Sequence, residues 1–266
     1  MKTSSQIHPS AIVSPKATLG DGVKIGPFTI IEDDVEIGEG TEVFAHAVIG
    51  DGARIGKNCR IYSGAVLSTA PQDVKYAGEK TYLFVGDRTV VREYVTLNRG
   101  TNAHGKTVIG SDCFFLAYVH IGHDCEVGNN VIISNAAQIG GHSEIGNFVT
   151  IGGIAGIHQF VRIGSHSMVG AVSKVAHDVP PYLLVTEDRF EGLNTIGLKR
   201  RGFSDASIKT LKETYRIVFQ SGLLIKNALE KVKSEIEPTP EVAEVLRFFE
   251  SGGKRKYIRP FLAHKS

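Results

Sequence analysis

The chain lacks an apolar run approaching the roughly 18 residues that a bilayer crossing needs, so no stable membrane insertion is expected. Its opening residues, Met1-Lys2-Thr3-Ser4-Ser5-Gln6, lack the apolar core of a secretion signal, and the expected location is the cytoplasm. Cysteine is scarce: Cys59, Cys113 and Cys125 are odd in number and form no CxxC pair, which argues against a disulfide framework and against a thiolate zinc site. An excess of one charge is lacking too, with a formal net of +2 over 266 residues; no nucleic-acid partner is expected from that balance. With 42% hydrophobic and 22% charged residues the composition is that of a globular chain, not a disordered one.

The near-neutral total hides an asymmetry. Residues 1–195 carry 15 Lys and Arg against 20 Asp and Glu, and residues 196–266 carry 15 against 8, so the two parts stand at −5 and +7. A basic C-terminal part suits an anionic ligand or an acidic partner, with solvated helix faces as the plainer alternative.

What the chain has in abundance is a period of six. Stepping by six from Ile7 through Val13, Leu19 and Ile25 to Val175 gives 29 positions, of which only Asp73, Glu79 and Ala103 are not large and apolar. Four residues after each, the side chain is nearly always small or β-branched, as at Ala11, Thr29, Ala53, Thr107 and Ser143. All three cysteines fall in that slot, as core fillers rather than reactive thiols. Such a repeat marks a parallel β-helix in which each rung buries its aliphatic residue against the next, so the expected class is mainly β, with the β-helix over 1–182.

Two stretches break the pattern. Residues 68–84 read as an excursion loop around Pro71-Gln72-Asp73-Val74-Lys75-Tyr76-Ala77-Gly78, and residues 98–106 as a shorter one. After Val179-Pro180-Pro181 the repeat stops; 183–198 read as a connecting segment and 199–266 as a C-terminal helical domain with a basic tail from Gly252. Its helices are expected from the Ser204 cap to about Gln220, from about Leu223 to Ser234, and from Thr239-Pro240-Glu241 onward.

Inside the repeat, His120-Ile121-Gly122-His123-Asp124-Cys125 stands apart. The period accounts for Ile121, Gly122 and Cys125 and leaves two imidazoles and a carboxylate without a structural reason. An imidazole titrates near neutral pH, which suits a general base.

The hexads resemble those of the hexapeptide-repeat acyltransferase family, whose members wind three hexads into each triangular, left-handed coil. That resemblance makes residues 18 apart stack: Asp124 lies level with His142, and His123, Gly141, Gln159 and His177 form one column, with His158 beside it. Six strings narrow the likeness to the UDP-N-acetylglucosamine acyltransferases: Pro71-Gln72-Asp73 with Lys75-Tyr76-Ala77-Gly78, the histidine stretch itself, Gly141-His142, His158-Gln159-Phe160, Asp178-Val179-Pro180-Pro181-Tyr182 and Gly197-Leu198-Lys199-Arg200-Arg201-Gly202-Phe203. The resemblance covers nearly the whole chain. It implies transfer of a 3-hydroxyacyl group from acyl carrier protein to the 3-position of UDP-N-acetylglucosamine, the first step of lipid A synthesis, with no cofactor and no metal. It further implies His123 as base, Asp124 as its orienter and the Gly141 N–H as oxyanion donor. Asp73, Lys75, His120, His142, His158, Gln159, Asn194, Arg200 and Arg201 would hold substrate, and Ala171 would limit acyl length. Family members often carry glutamate where this chain has Ile196, which puts one nucleotide contact in question and leaves a 3-amino sugar acceptor open.

Other classes compete. A zinc hydratase of the γ-carbonic anhydrase type would use His120, His123 and His142 as ligands. A glucosamine N-acyltransferase would carry a separate N-terminal domain, and a scaffolding β-helix would leave the histidine wall unexplained. Triangular coils pack around threefold axes, so a homotrimer is expected, with the 68–84 loop offering Asp73 and Lys75 to a neighbour's site. The acidic carrier protein would dock on the +7 part.

Overall fold

The computed structural model describes residues 5–260. Each hexad becomes a short strand in which the frame residue points inward and its predecessor outward, as at His120–Ile121 and Gln138–Ile139. Frame residues Ile61, Ile121 and Ile139 are fully buried, and so are Cys59 and Cys125 in the small-residue slot. Burial pushes the Cys125 thiol up to about 12 and Cys113 to about 11, so neither is a ready nucleophile at neutral pH.

The strands stack as three sheets of twelve, nine and eight, each parallel through the coils. One circuit runs from Phe114–Phe115 in the first sheet through His120–Ile121 in the second to Glu126–Val127 in the third. Rungs pair 18 residues apart, Ile121 with Ile139 and Ile139 with Ile157. Each corner turns through a positive φ: Tyr118 at 65° between the first and second sheets, Asp124 at 57° between the second and third, and Asn130 at 58° between the third and first. These are the first, second and third corners of the prism. Left-handed backbone costs a non-glycine residue about 1–2 kcal/mol, offset by side chains that stack up each edge. Tyr94 lies on Tyr118 (5.2 Å), His142 on Phe160 (4.5 Å) and Phe148 on His166 (4.8 Å).

Both excursions leave from the second corner. Arg60 pairs with Val90, a separation of 30 instead of 18, and Val90 pairs with Phe114, a separation of 24. The inserts are therefore 12 and 6 residues, whole multiples of the hexad, which is why the frame resumes in phase. Asp73, Glu79 and Ala103 occupy frame positions by arithmetic only. The first excursion is also shorter than 68–84, since Val66–Thr69 and Tyr82–Val85 are strands that bury Leu67, Leu83 and Val85. Arg99 staples it, donating to the Ser68 carbonyl (3.0 Å) and the Tyr76 hydroxyl (3.0 Å).

The last circuit is two residues short, Val169 pairing with Val185. That phase change hides a strand from the hexad count: residues 183–198, expected to be a connector, form Leu183–Thr186 and the antiparallel Arg189–Leu193, followed by helix α1, Thr195–Arg200. Helices α2 (Asp205–Gln220), α3 (Ile225–Glu235) and α4 (Pro240–Glu250) follow. The Ser204 hydroxyl caps α2 and the Thr239 hydroxyl caps α4. Tyr215 of α2 donates to the Pro181 carbonyl (2.7 Å) and Phe219 packs on Phe190 (4.8 Å), closing this end of the prism. The opposite end begins with Gln6–Ile7, both exposed. Beyond α4 the tail crosses the second corner, with the Asp178 N–H donating to Lys256 O (2.8 Å) and the Ile258 N–H to Asp178 O (2.9 Å). Residues 261–266 of the basic tail lie outside the described residues. No helix among the described residues is long and apolar enough to cross a membrane.

Burial is the largest influence on His120, His142 and His166, and holds each below its ordinary value of 6.5. Between those lowered values and 6.5 the unfolded chain binds more protons than the folded one, so stability is full above 6.5 and falls as the pH drops below it. Thermal melts across this window are expected to show that fall. In His166→Phe, which keeps the stack between Phe148 and Tyr182, it should be shallower; an unchanged slope would remove His166 as a contributor.

Candidate active site

The second corner gathers the chemistry. Both excursions and the turns of three successive coils meet there, enclosing a cleft of about 400 Å³ lined by His120, His123, Gly141, His158 and Gln159 together with Gln72 and Asn98.

His120 stands on its strand facing outward, its Nδ1 2.7 Å from Thr96 Oγ1. His123 follows at the turn, and its Nδ1 is 2.8 Å from Asp124 Oδ2. Asp124 takes the positive φ common to the corners and is buried because the second excursion covers its carboxylate. There Oδ1 accepts from the Thr101 N–H (2.9 Å) and Oδ2 from the Thr101 hydroxyl (2.6 Å), while the His104 N–H reaches Oδ1 at 3.3 Å. Burial alone would raise this carboxyl; the hydrogen bonds from Thr101 and His123 outweigh it and hold Asp124 below the usual carboxylate value. A permanent carboxylate accepts from Nδ1–H, which puts the His123 proton on that nitrogen and leaves a lone pair on Nε2, facing the cleft.

Glycine at 141 is required by space. A Cβ there would stand 2.8 Å from both Cε1 and Nε2 of His123. The missing side chain lets the imidazole lie over the backbone of the next coil. His142 packs edge-on against His123 (5.0 Å) and His104 (5.3 Å), with its Nε2 3.8 Å from Asp124 Oδ2.

A grouping with metal-ligand geometry does exist, but its members are His123, Asp124 and His142. His120, one of the three histidines that a zinc site would need, is outside it.

The remaining expected residues lie elsewhere on the chain. Asp73 Oδ1 accepts from the Lys75 N–H (2.9 Å) within the first excursion, where Lys75 is exposed; neither lines the cleft, whereas Gln72 does. Asn194 is buried and its amide is already engaged, Oδ1 capping α1 at Gly197 (3.2 Å) and Nδ2 donating to His166 O (3.0 Å). Arg200 is exposed at the end of α1, and the Arg201 guanidinium lies 5.6 Å from the Phe148 ring, at the third corner. Ala171 precedes Val172, whose positive φ marks the first corner. Three corners of one prism thus carry the base, the arginine and the acyl-length position. Sequence reading missed Thr101, His104 and Asn98, which sit in or beside an insert that carries no period, and Arg255, which meets His158 from 97 residues away.

Residues 34–69 and 106–141 match the bacterial transferase hexapeptide family, and residues 178–258 match the family described as UDP-N-acetylglucosamine O-acyltransferase, domain 2. A UDP-N-acetylglucosamine O-acyltransferase of Chlorobaculum parvum is 63% identical over 261 residues, covering 97% of this chain and 99% of the relative. Its counterpart in Chlorobium phaeobacteroides is 66% identical over 259 residues, covering 96% and 98%. Among solved structures, the UDP-N-acetylglucosamine acyltransferase LpxA of Bacteroides fragilis superposes with a TM-score of 0.92 at 37% identity, covering 95% of this chain and 99% of that one. LpxA of Acinetobacter baumannii gives 0.92 at 39%, with the same coverage.

Proposed function

The chain belongs to the UDP-N-acetylglucosamine O-acyltransferase family, built on a left-handed β-helix, and from that premise we propose how its own residues perform the reaction. The enzyme transfers a 3-hydroxyacyl group from acyl carrier protein to the 3-hydroxyl of UDP-N-acetylglucosamine, the first step of lipid A synthesis. A zinc hydratase and a 3-amino acceptor are not favoured, since the relatives named are O-acyltransferases.

The observation that carries the mechanism is the Asp124–His123 pair, 2.8 Å apart and open at Nε2. Nε2 takes the proton of the 3-hydroxyl as its oxygen attacks the thioester carbonyl. The tetrahedral oxyanion is held by the Gly141 N–H. Collapse expels the carrier thiolate, which takes the same proton back from the imidazolium. These steps need no metal or redox cofactor. His120, His158 and Gln159 line the walls against which the sugar and the acyl head are held, with His142 packed behind His123. Asp73 and Lys75 act from the excursion, and Arg200 and Arg201 meet the diphosphate, Arg being suited to paired phosphate contacts. Asn194 serves the nucleotide end by fixing α1, and exposed Ile196 offers no acceptor there.

A homotrimer reconciles the separated corners. Ala171 and Arg201 flank the two edges of the first sheet, so a neighbour presenting that face to His123 would complete the groove. The face suits burial: Val90, Phe114, Ile132 and Met168 point outward from it, and Tyr94, Tyr118, Ile154 and Val172 stand exposed along the first corner. The basic C-terminal part receives the acidic carrier protein, and the enzyme works in the cytoplasm.

Purified enzyme is expected to acylate UDP-N-acetylglucosamine from a ladder of 3-hydroxyacyl carriers; absence of transfer with every carrier overturns the reading. Ala171→Gly should lengthen the preferred chain: Ala171 is exposed on the single chain, and where a neighbour closes the groove its methyl excludes about one methylene, overpacking costing roughly 1–3 kcal/mol. Co-assembly of limiting wild-type chains with excess His123→Ala, Ala171→Gly chains separates the subunits' roles. If the groove is shared, the surviving activity takes on the longer preference. An unchanged preference in proven mixed assemblies would place the ruler in the same chain as the base.

A further inference from the structure

Past α4 the tail lays Lys254 and Arg255 over the outer edge of the cleft. Lys254 Nζ lies 4.3 Å from the Phe160 ring, which stacks on His142. Arg255 Nη2 is 2.6 Å from His158 Nδ1, and Arg255 Nε donates to the Gln159 carbonyl at 3.1 Å. The same carbonyl lies 3.2 Å from His158 Nδ1. Without the guanidinium, the ring could place its proton on Nδ1 and donate to that carbonyl. Arg255 closes this option, because a guanidinium has only donors and stays protonated, so that its Nη2 obliges Nδ1 to accept. The ring proton of His158 therefore sits on Nε2, the reverse of His123.

We propose that Arg255 is a positioning residue that fixes His158 as an Nε2–H donor into the cleft, so that the reacting groups meet one imidazole that takes a proton and a second that offers a hydrogen bond. This rests on the acyl-transfer reading above. The device is held firmly from behind. The tail is pinned to Asp178 through both backbone bonds given earlier, and Asp178 is itself buried against Arg162 (2.8 Å). Gly253 passes so close to that ion pair that a Cβ would collide with the Asp178 carboxylate, which fixes where Arg255 emerges.

The test is Arg255→Met in the full-length enzyme, which keeps side-chain length without donors. Long-range proton–nitrogen correlation spectra of histidine-labelled protein at about pH 8, with His158→Ala for assignment, should show the Nε2–H tautomer of His158 in wild type and a mixture in Arg255→Met. The value of kcat/KM should fall about tenfold, the scale of one charge-assisted hydrogen bond. Arg255→Lys, again a pure donor, should recover part of it. Arg255→Met combined with His158→Ala should be no slower than His158→Ala alone. An unchanged tautomer in Arg255→Met, or losses that multiply in the double variant, overturns the proposal; a lowered melting temperature with the tautomer intact makes Arg255 a structural staple only. The spectra read the ring whether or not acyl transfer occurs, whereas a wild-type enzyme that transfers nothing to UDP-N-acetylglucosamine sinks the acyl-transfer reading by itself.

Discussion

His123→Ala is expected to lose about 10²–10⁴-fold in kcat while keeping its fold and association. The fold survives because nothing buried is left without a partner: Asp124 still accepts from the Thr101 N–H, the Thr101 hydroxyl and the His104 N–H. The frame residue of that coil, Ile121, and its slot residue, Cys125, are untouched and fully buried. The loss falls on chemistry because no other imidazole in the cleft has a buried carboxylate within hydrogen-bond reach of one nitrogen while the other faces open space. His142 approaches Asp124 only at 3.8 Å and lies flat on Phe160. Transfer rates beside melting curves decide it, and a variant that keeps more than about a third of wild-type kcat removes His123 from the role of base.

Asp124→Asn should cost nearly as much, by a different route. The Thr101 N–H points at Oδ1, so the carbonyl oxygen of an asparagine must stay on that side. Its NH₂ group then takes the place of Oδ2, facing both the Thr101 hydroxyl and His123 Nδ1. The hydroxyl can rotate to accept. The imidazole can respond only by moving its proton to Nε2, which fills the lone pair that the reaction uses. We expect a fall of about 10²–10⁴ in kcat with little change in KM, because the shape of the cleft is preserved. Wild-type kcat in Asp124→Asn would show that the carboxylate orients nothing.

The β-helix was legible because a period of six survives any insert of 6 or 12 residues. The same property concealed the inserts' true lengths. Asp73 and Glu79 fell on the frame without belonging to a rung, and an 18-residue map drawn across them would misplace everything upstream. Residues His120 to His158 could be mapped correctly because those coils carry no insert. Leu183–Thr186 was missed when the last circuit shortened to 16, since a strand out of phase has no signature in a hexad count. In the site, His123, Asp124 and Gly141 were visible as departures from the pattern. Thr101 and His104 were not, because an irregular excursion gives no rule for which coil its amides will face. Arg255 lay beyond any local reading: the backbone pairings of the tail with Asp178 and with Arg189–Phe190 bring it to His158. Asn194 shows the converse limit, a polar residue that the resemblance assigned to substrate and whose amide is taken up as a helix cap.

The two ends of the prism differ in a way that bears on self-association. A stack of parallel rungs is a template at both ends, and identical open ends would let molecules join head to tail into a fibre without limit. Here the first sheet is capped at the C-terminal end: Arg189–Leu193 runs antiparallel to its last rung, and α2 packs over it through Tyr215 and Phe219. At the other end the first coil, Gln6–Ile7, Ile12–Val13 and Thr18–Leu19, presents a free ladder in each of the three sheets. Two such faces can meet base to base, but that contact consumes both and leaves nothing to extend. The antiparallel strand and α2 that follow the shortened circuit thus deny the first sheet a growing end, and a variant that removed them would be expected to associate head to tail more readily.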